Sequence, residues 1–333
     1  MAITVENRYR HLWKVLWLNC VPWVCLVNGA FGLTIDELAS RCAEIERGIR
    51  DLSWEEEWIY ENPDLQGLDS QAIGPTYRKA RVCISFSPQG TGTTDYNSIH
   101  FDRYMWEEKG QARILATGQV QEVLMCEACD GQQLKALRKV NGRFRGEVVK
   151  AQPGIVPKPF GTMGVVQIGL LGASIYRTRV FGGTEFMPLS YLVSKYGRLD
   201  DQVIKDGDFN VVRVDFVQPQ SGYIILRAYF SVDHDYYPVK YEHMTGGPAE
   251  LNRVGYTVVV TSLQEVLPQI WFPTNAIFIG DPKVTDIHRA IGKIKINQGL
   301  SEKDFDLEFP AGTMVVDKIK GRKYIVASGS GGK

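Results

Sequence analysis

Two cysteines separated by two residues are the feature of this sequence best suited to chemistry, because this spacing serves thiol redox exchange and zinc binding. The pair is Cys126-Glu-Ala-Cys129. Zinc needs two further soft ligands, and beyond the first thirty residues only Cys42 and Cys83 remain, with no histidine beside them. A redox site of this kind opens a helix, whereas this pair ends a strand-like run. The spacing predicts a local disulfide or two ordinary thiols, and it leaves the pairing of the four cysteines open.

His234 lies between two carboxylates in Asp233-His234-Asp235, a set of ligands that would suit a metal ion. Neighbouring residues of a strand point to opposite faces, however, so the segment is predicted to be a turn or a strand end. The sequence contains no GxSxG, HExxH, phosphate-loop or dinucleotide motif. It predicts no catalytic residue, no metal site and no cofactor. A hydrolase is the last of our hypotheses, because it would need a cleft with converging titratable groups.

The charge balance and the composition argue against a nucleic-acid-binding protein and against a disordered chain. The chain carries 38 basic and 38 acidic residues, so no global field attracts nucleic acid or an anionic membrane. Its apolar fraction of 44% and aromatic fraction of 11% are enough for a sizeable core. We therefore expect a folded, non-enzymatic protein without a nucleic-acid partner.

The first thirty residues have the three-part layout of an export signal. A basic region ends at Lys14, an apolar run extends from Val15 to Val27, and small residues follow. The run is too short and too interrupted to span a bilayer comfortably. The alternative is an uncleaved anchor or a buried N-terminal helix. We expect a signal peptide at residues 1–30, a periplasmic or otherwise exported protein of the cell envelope, and no stable membrane span after cleavage.

One amphipathic helix is predicted directly after this segment. Thr34 and Glu37 form a capping box. Apolar residues then recur at steps of three and four, namely Ile35, Leu38, Cys42, Ile45, Ile49 and Leu52. This spacing fits a single helix of about 18 residues with a narrow apolar stripe. The stripe needs an apolar partner surface from later in the chain.

After the helix the apolar pattern changes to a period of two, which is typical of β-strands. Strand-like runs are predicted at 82–86, 99–107, 111–118, 120–126, 133–140 and 143–150, separated by Gly110, Asp130-Gly131 and Asn141-Gly142. The stretch at about 151–210 is rich in Pro and Gly and is predicted to contain helical pieces at 189–196 and 199–204. We interpret it as an insertion rather than a domain boundary. Six more strand-like runs follow between 211 and 297, with turns at Ser221-Gly222 and Gly246-Gly247.

These patterns together predict an α+β fold, mostly antiparallel β, with about 11 strands in one large sheet. The predicted organisation is a signal at 1–30, a single domain at 31–328 that carries the insertion, and a disordered tail at 329–333.

Three short segments add a family resemblance. They are Asp130-Gly131-Gln-Gln-Leu, Trp271-Phe272-Pro273 and the closing run Phe305-Asp-Leu-Glu-Phe-Pro-Ala-Gly-Thr-Met-Val-Val-Asp317. With the signal, the helix and the strands, they resemble the LolA/LolB-like superfamily of periplasmic lipoprotein carriers, closest in style to its large exported planctomycete-type members. The chain departs from the carriers in its greater length and in the insertion at 151–210.

The resemblance implies a strongly curved sheet, like a half-open barrel, with helices packed on an apolar concave face. A lipid, an acyl chain, a lipidated protein or another hydrophobic ligand would bind there, in lipoprotein or lipid transport within the envelope. Candidate ligand-binding residues are Ile45 and Ile49 on the helix, Val82, Ile84 and Phe86 on the sheet, and Trp271.

A second hypothesis belongs to a different class of protein. An envelope interaction or sensor module, similar to the periplasmic regulator of the sigma-E response, would contact a protein partner through an edge strand or the convex side of the sheet. Bound lipid without a partner would favour the carrier, whereas one stoichiometric partner would favour the sensor.

Overall fold

The computed structural model describes residues 32–61, 73–86, 101–114, 120–140, 142–151, 189–244, 253–280 and 285–328. The predicted signal at 1–30, the turn at Gly246-Gly247, the tail at 329–333 and most of the predicted insertion lie outside these ranges. The chain divides into two compact units, Met1–Thr34 and Ile35–Lys333. Both helices and all fifteen strands of the described residues belong to the second unit. Among the described residues, no helix has the length and apolar character needed to cross a membrane.

The first helix, α1, covers Ile35–Gly48 and buries Leu38, Ala39 and Cys42 along one stripe. It is shorter than the predicted 18 residues, because the chain leaves the helix at Gly48 and enters the first strand. The side chain of Asn297, which is distant in sequence, stabilises this change of direction. The Asn297 amide donates to the carbonyl oxygen of Gly48 at 2.6 Å, and its oxygen accepts from the Arg50 amide at 2.7 Å. This bond satisfies a carbonyl that the end of a helix otherwise leaves unpaired.

The second helix, α2, covers Leu189–Tyr196 and confirms one predicted helical piece. The other piece, at 199–204, is wrong, because these residues belong to a strand. The fifteen strands are β1 Asp51–Glu61, β2 Ile73–Phe86, β3 Phe101–Ile114, β4 Val120–Cys129, β5 Gln133–Val140, β6 Arg143–Lys150, β7 Gly197–Asp206, β8 Phe209–Val217, β9 Ile224–Ser231, β10 Tyr237–Met244, β11 Val254–Leu267, β12 Ile270–Ile279, β13 Thr285–Ile296, β14 Met314–Asp317 and β15 Arg322–Ile325.

All fifteen strands form one sheet, so the predicted single sheet is correct but the count of about eleven is too low. Its order is β15-β14-β6-β5-β4-β3-β2-β1-β13-β12-β11-β10-β9-β8-β7. Neighbours are antiparallel except β14 and β6, which are parallel. The sheet is curved and is not closed into a barrel.

One predicted turn is wrong. Gly110 lies inside β3, in register with Arg78 and Val123, so the runs predicted at 99–107 and 111–118 are one long strand. Gly131 and Gly142, in contrast, have positive φ values of 91° and 73°. These angles suit glycine and are found at the predicted hairpin positions.

The two faces of the sheet carry different coverings. The helices pack against each other, and both pack on β7 while α2 also packs on β8. On the opposite face, the segment from a 3-10 turn at Glu302–Phe305 to Phe309 packs over β3–β6; we call residues 302–310 the strap. Successive strand residues point to opposite faces, and β4 displays this directly, since Cys126 and Cys129 belong to different apolar clusters.

Candidate functional site

Nine buried residues from α1's end and six strands form one apolar group on the helix-bearing face. We call this group the apolar cluster; its members are Ile49, Leu52, Trp54, Tyr104, Trp106, Cys129, Tyr237, Phe272 and Ile296. The rings of Trp54 and Phe272 lie 6.2 Å apart between centroids. Distant parts of the chain meet here, because β13 pairs with β1 and brings the two halves of the sheet together.

The structure brings three of the six predicted ligand-binding residues to this cluster. Ile49 is a member of it, and Ile45 and Trp271 are partly buried against it. The side chains of Val82, Ile84 and Phe86 lie outside the described part of the structure. Their backbone register is nevertheless known. Val82 is paired with Trp54 and Trp106, and Ile84 is paired with Leu52 and Tyr104.

A border of partly exposed apolar side chains adjoins the packed cluster. We call it the rim; it joins α1 to the hairpin of β11 and β12 and consists of Ile45, Leu263, Val266, Leu267, Ile270 and Trp271. The hairpin approaches α1 closely, since Ile270 Cδ1 lies 3.3 Å from the position that a Cβ atom on Gly48 would take. The sequence pointed to Ile45 and to Trp271 of this hairpin, but not to its other members, Leu263, Val266, Leu267 and Ile270, which join the rim only through folding.

The rim is tied to a neighbouring turn by Trp271. Its Nε1 donates a hydrogen bond to Asp235 Oδ2 at 3.1 Å, and its ring meets that of His234 edge-on at 4.6 Å between centroids. His234 is the last residue of a 3-10 turn at Val232–His234, and Asp235 and Tyr236 after it both have positive φ. The prediction of a turn around His234 is therefore confirmed. The histidine packs against aromatic rings here, and its Nδ1 lies 2.8 Å from Ser231 Oγ.

Three buried carboxylates escaped the sequence analysis. Glu56, Glu108 and Glu127 are buried on the cluster's side of β1, β3 and β4. Trp54 Nε1 donates to Glu56 at 3.3 Å, and the Tyr104 hydroxyl donates to Glu127 at 2.7 Å. Burial and then the Glu127 charge raise the pKa of Tyr104. The available signal was the period of two that places Glu56 beside the buried Trp54 and Glu108 beside the buried Trp106 on the same strand face, whereas β4 has no aromatic residue that would mark Glu127.

The two cysteines of the CxxC cannot act as a pair. Cys126 belongs to a second apolar cluster beneath the strap, whereas Cys129 belongs to the helix-side cluster. All four described cysteines are free and buried. Burial raises the pKa of Cys126 to about 12 and also raises that of Cys129. Thiolates are therefore disfavoured, and the prediction of ordinary thiols is the one that this geometry supports.

A polar contact joins the two helices. Ser190 donates to the Glu46 carboxylate through its backbone amide at 3.1 Å and through its hydroxyl at 2.5 Å. Burial raises the pKa of Glu46 to about 7, although the Ser190 bonds and Arg47 act in the opposite direction. The carboxylate thus caps the first turn of α2, where helix amides lack intrahelical partners.

No family model matches the chain, and no curated protein matches it. Solved structures do. A DUF1329 family protein from Desulfovibrio piger is 9% identical, with a TM-score of 0.43 over 82% of this chain and 95% of that one. A domain named for outer membrane lipoprotein sorting from Vibrio parahaemolyticus is 13% identical, with a TM-score of 0.40 over 81% and 95% of the two chains.

A LolA superfamily protein from Nitrosomonas europaea is 12% identical, with a TM-score of 0.39 over 83% of this chain and 99% of that one. In structure, the chain is similar to LolA superfamily proteins.

Proposed function

We propose that this protein binds a lipid, an acyl chain or another hydrophobic ligand at the rim, and that it carries the ligand in the cell envelope without catalysing a reaction. The observation that carries the proposal is the rim itself. Six apolar side chains from a helix and a hairpin border the packed cluster and stay partly exposed. The sequence resemblance implies the same function, and the signal-like N-terminus supports the location.

The packing of the apolar cluster determines where a ligand would lie. Leu52, Tyr237 and Phe272 have no exposed surface, so the centre of the cluster is already filled by side chains. A ligand therefore adds to the rim instead of entering the centre. Each methylene that the rim removes from water contributes roughly 0.8 kcal/mol. Ile45 and Trp271 are the candidate residues that contact the ligand, and Ile49 supports them from beneath.

Native mass spectrometry and solvent extraction of the purified protein test this proposal. We expect a bound acyl species, and we expect its occupancy to fall in an Ile270→Asp variant, because a carboxylate on the rim must be desolvated when the ligand binds. Ile279→Asp is the matched control. It changes an exposed isoleucine at the other end of the same strand, so its occupancy should equal that of the wild type.

Protein that is repeatedly free of lipid, and that does not take up a fluorescent fatty acid, would contradict the proposal. Circular dichroism of Ile270→Asp shows whether the variant is folded. If it is not, Trp271→Gln provides a milder change of the same surface.

A second candidate function is supported by the far edge of the sheet. Strand β7 ends the strand order and exposes Val203 by 47% and Ile204 by 38%. An edge strand of this kind can pair with an extended segment of a protein partner. A pull-down from envelope extracts should then recover one stoichiometric partner that Val203→Lys loses. A partner that Val203→Lys retains would contradict this role for β7.

A further inference from the structure

Charge is distributed unevenly in this protein, although the whole chain is neutral. We call β5, β6, β14, β15 and the turn at 318–321 the basic end. It carries ten lysine or arginine residues and only two carboxylates, Glu147 and Asp317. These strands are neighbours at one end of the sheet, and their register places four exposed cations, Arg138, Arg143, Arg145 and Lys323, on the same face of it.

Ion pairs neutralise only part of this charge. Lys318 pairs with Glu147, and Arg322 lies 3.6 Å from Asp317. Outside the basic end, Asp306 and Glu122 pair with Lys135 and Lys139. Six further cations are exposed, and they are Arg138, Arg143, Arg145, Lys150, Lys320 and Lys323. The basic end therefore carries a positive net charge.

Exposed apolar side chains accompany these cations. Eight large apolar residues are exposed in the described part of the chain, and half of them belong to the hairpin of β14 and β15. They are Met314 at 43%, Ile319 at 47%, Tyr324 at 37% and Ile325 at 70%. Met314 and Ile325 are paired across this hairpin and lie on the same face as the exposed cations, so these two side chains mark an interaction surface rather than ordinary scatter.

The register of the strands aligns the two kinds of side chain. Arg138 is paired with Arg145, Arg145 with Met314, and Met314 with Ile325. All four residues are exposed and lie in one row across the sheet. The same row reaches Met125, which packs against the apolar cluster. The basic end is thus continuous with the face on which we place the ligand.

We propose that the basic end docks on the surface of an anionic lipid bilayer. Cations close to such a surface each contribute about 1 kcal/mol, which is roughly a fivefold gain in binding. The exposed Met314 and Ile325 side chains add affinity by entering the boundary between head groups and acyl chains. Nucleic acid would match the cations but would leave Ile325 and Ile319 without an apolar partner. An acidic protein is the remaining competitor.

Sedimentation with lipid vesicles tests this proposal. The measured quantity is the ratio of binding on vesicles of phosphatidylcholine with phosphatidylglycerol to binding on phosphatidylcholine alone, at low salt. Any contribution of the apolar N-terminal segment affects both lipids, so the ratio isolates the charge-dependent term. We expect a ratio well above one that falls as salt is added.

Substitutions test whether the preference for anionic vesicles depends on the basic end. The double variant Arg145→Gln/Lys323→Gln, which removes two exposed cations from the face of Met314 and Ile325, should lower binding on the anionic vesicles about 30-fold. Ile325→Ser should lower it about tenfold, because an exposed side chain no longer enters the interface. The matched controls are Lys295→Gln on β13 and Val254→Ser on β11, which are exposed residues elsewhere and should bind as the wild type does.

A ratio of one for the wild type would overturn the proposal, and so would a double variant that binds as tightly as Lys295→Gln. Polyglutamate provides the remaining test. Binding of polyglutamate without preference for anionic vesicles would replace the bilayer with an acidic protein partner.

Discussion

The two ends of the sheet differ in their charge, because one end is balanced and the other is mostly basic. Strands β7 to β10, beneath the helices, carry five basic and five acidic residues. Strands β5, β6, β14 and β15 carry eight basic and two acidic residues, and the turn at 318–321 adds two lysines. We call the first region the helix end and compare it with the basic end.

At the helix end, three of the five strand cations contact carboxylates of the same region, namely Arg213, Arg227 and Lys240. Asp215 accepts from Arg227 at 3.2 Å and lies 3.4 Å from Arg213, and Lys240 contacts Asp206 at 2.9 Å and Glu242 at 3.1 Å. The basic end leaves most cations exposed to solvent. The comparison indicates that charges next to the packed core are neutralised by ion pairs. At the basic end, repulsion between unpaired cations lowers the stability somewhat, and these cations are available to bind an anionic partner.

The largest effect we expect comes from packing at the helix end. A Cβ atom on Gly197 would lie 2.4 Å from the carbonyl oxygen of Val193 and 3.1 Å from Ile35 Cδ1. Gly197→Ala should therefore lower the free energy of unfolding by about 3 kcal/mol, measured by urea titration.

Gly146→Ala is the matched change at the basic end. Its Cβ would meet the Phe309 ring at 2.8 Å, but a ring on the strap can shift whereas a helix carbonyl cannot. We expect a cost of about 1 kcal/mol. Equal costs for the two variants would mean that the strap is as rigid as the helices.

The next effect depends on pH and also belongs to the helix end. Burial raises the pKa of Glu46 from 4.5 to about 7, so the folded protein binds this proton more tightly than the unfolded chain. The stability that the neutral carboxyl contributes is present below about pH 4.5 and is lost as the pH rises to 7.

Glu46→Gln should remove this pH dependence and stabilise the protein at pH 8 by up to about 3 kcal/mol, since an amide keeps one acceptor for Ser190. Thermal unfolding at several pH values measures it. Glu44→Gln, an exposed change on the same helix, should leave the profile unaltered. A Glu46→Gln profile parallel to that of the wild type would contradict the assignment.

Substitution of one lysine at each end should produce a smaller difference in the free energy of unfolding. Lys240 is enclosed by two carboxylates and lies 4.7 Å from the ring centroid of Tyr229. Lys240→Gln should cost about 1.5 kcal/mol, because it leaves Glu242 without its cation. Lys323→Gln at the basic end should change stability by less than about 0.5 kcal/mol. A comparable loss in both variants would remove the distinction between paired and unpaired charge.

The smallest effect concerns the thiols. Cys126 and Cys129 face opposite sides of β4, and three residues of strand separate their Cα atoms by about 10 Å, beyond the reach of a disulfide. Reducing agent should therefore leave the unfolding midpoint unchanged, and a thiol reagent should label the native protein only slowly. Rapid labelling of Cys126, detected by peptide mass spectrometry, would mean that the strap opens readily.

The sequence analysis succeeded wherever neighbouring residues carry the signal. The start of α1, the helix at Leu189–Tyr196 and the turns at Asp130-Gly131 and Gly142 depend on caps, local periodicity and positive φ. It failed at Gly110, because a glycine within a long strand has the same local signature as a turn. For the candidate site it identified Ile45, Ile49 and Trp271 near one apolar cluster, but it did not identify the hairpin residues that complete the rim.

The sequence by itself determined that the chain alternates as strands, that one amphipathic helix precedes them, and that charges balance overall. Only the tertiary structure decided that Asn297 ends α1 from 249 residues away, that β14 lies parallel to β6, and that ten cations share one end of the sheet. The physical reason is the range of the interactions. Periodicity and turns act between neighbours in sequence, whereas strand order and surface potential depend on which distant segments become neighbours in space.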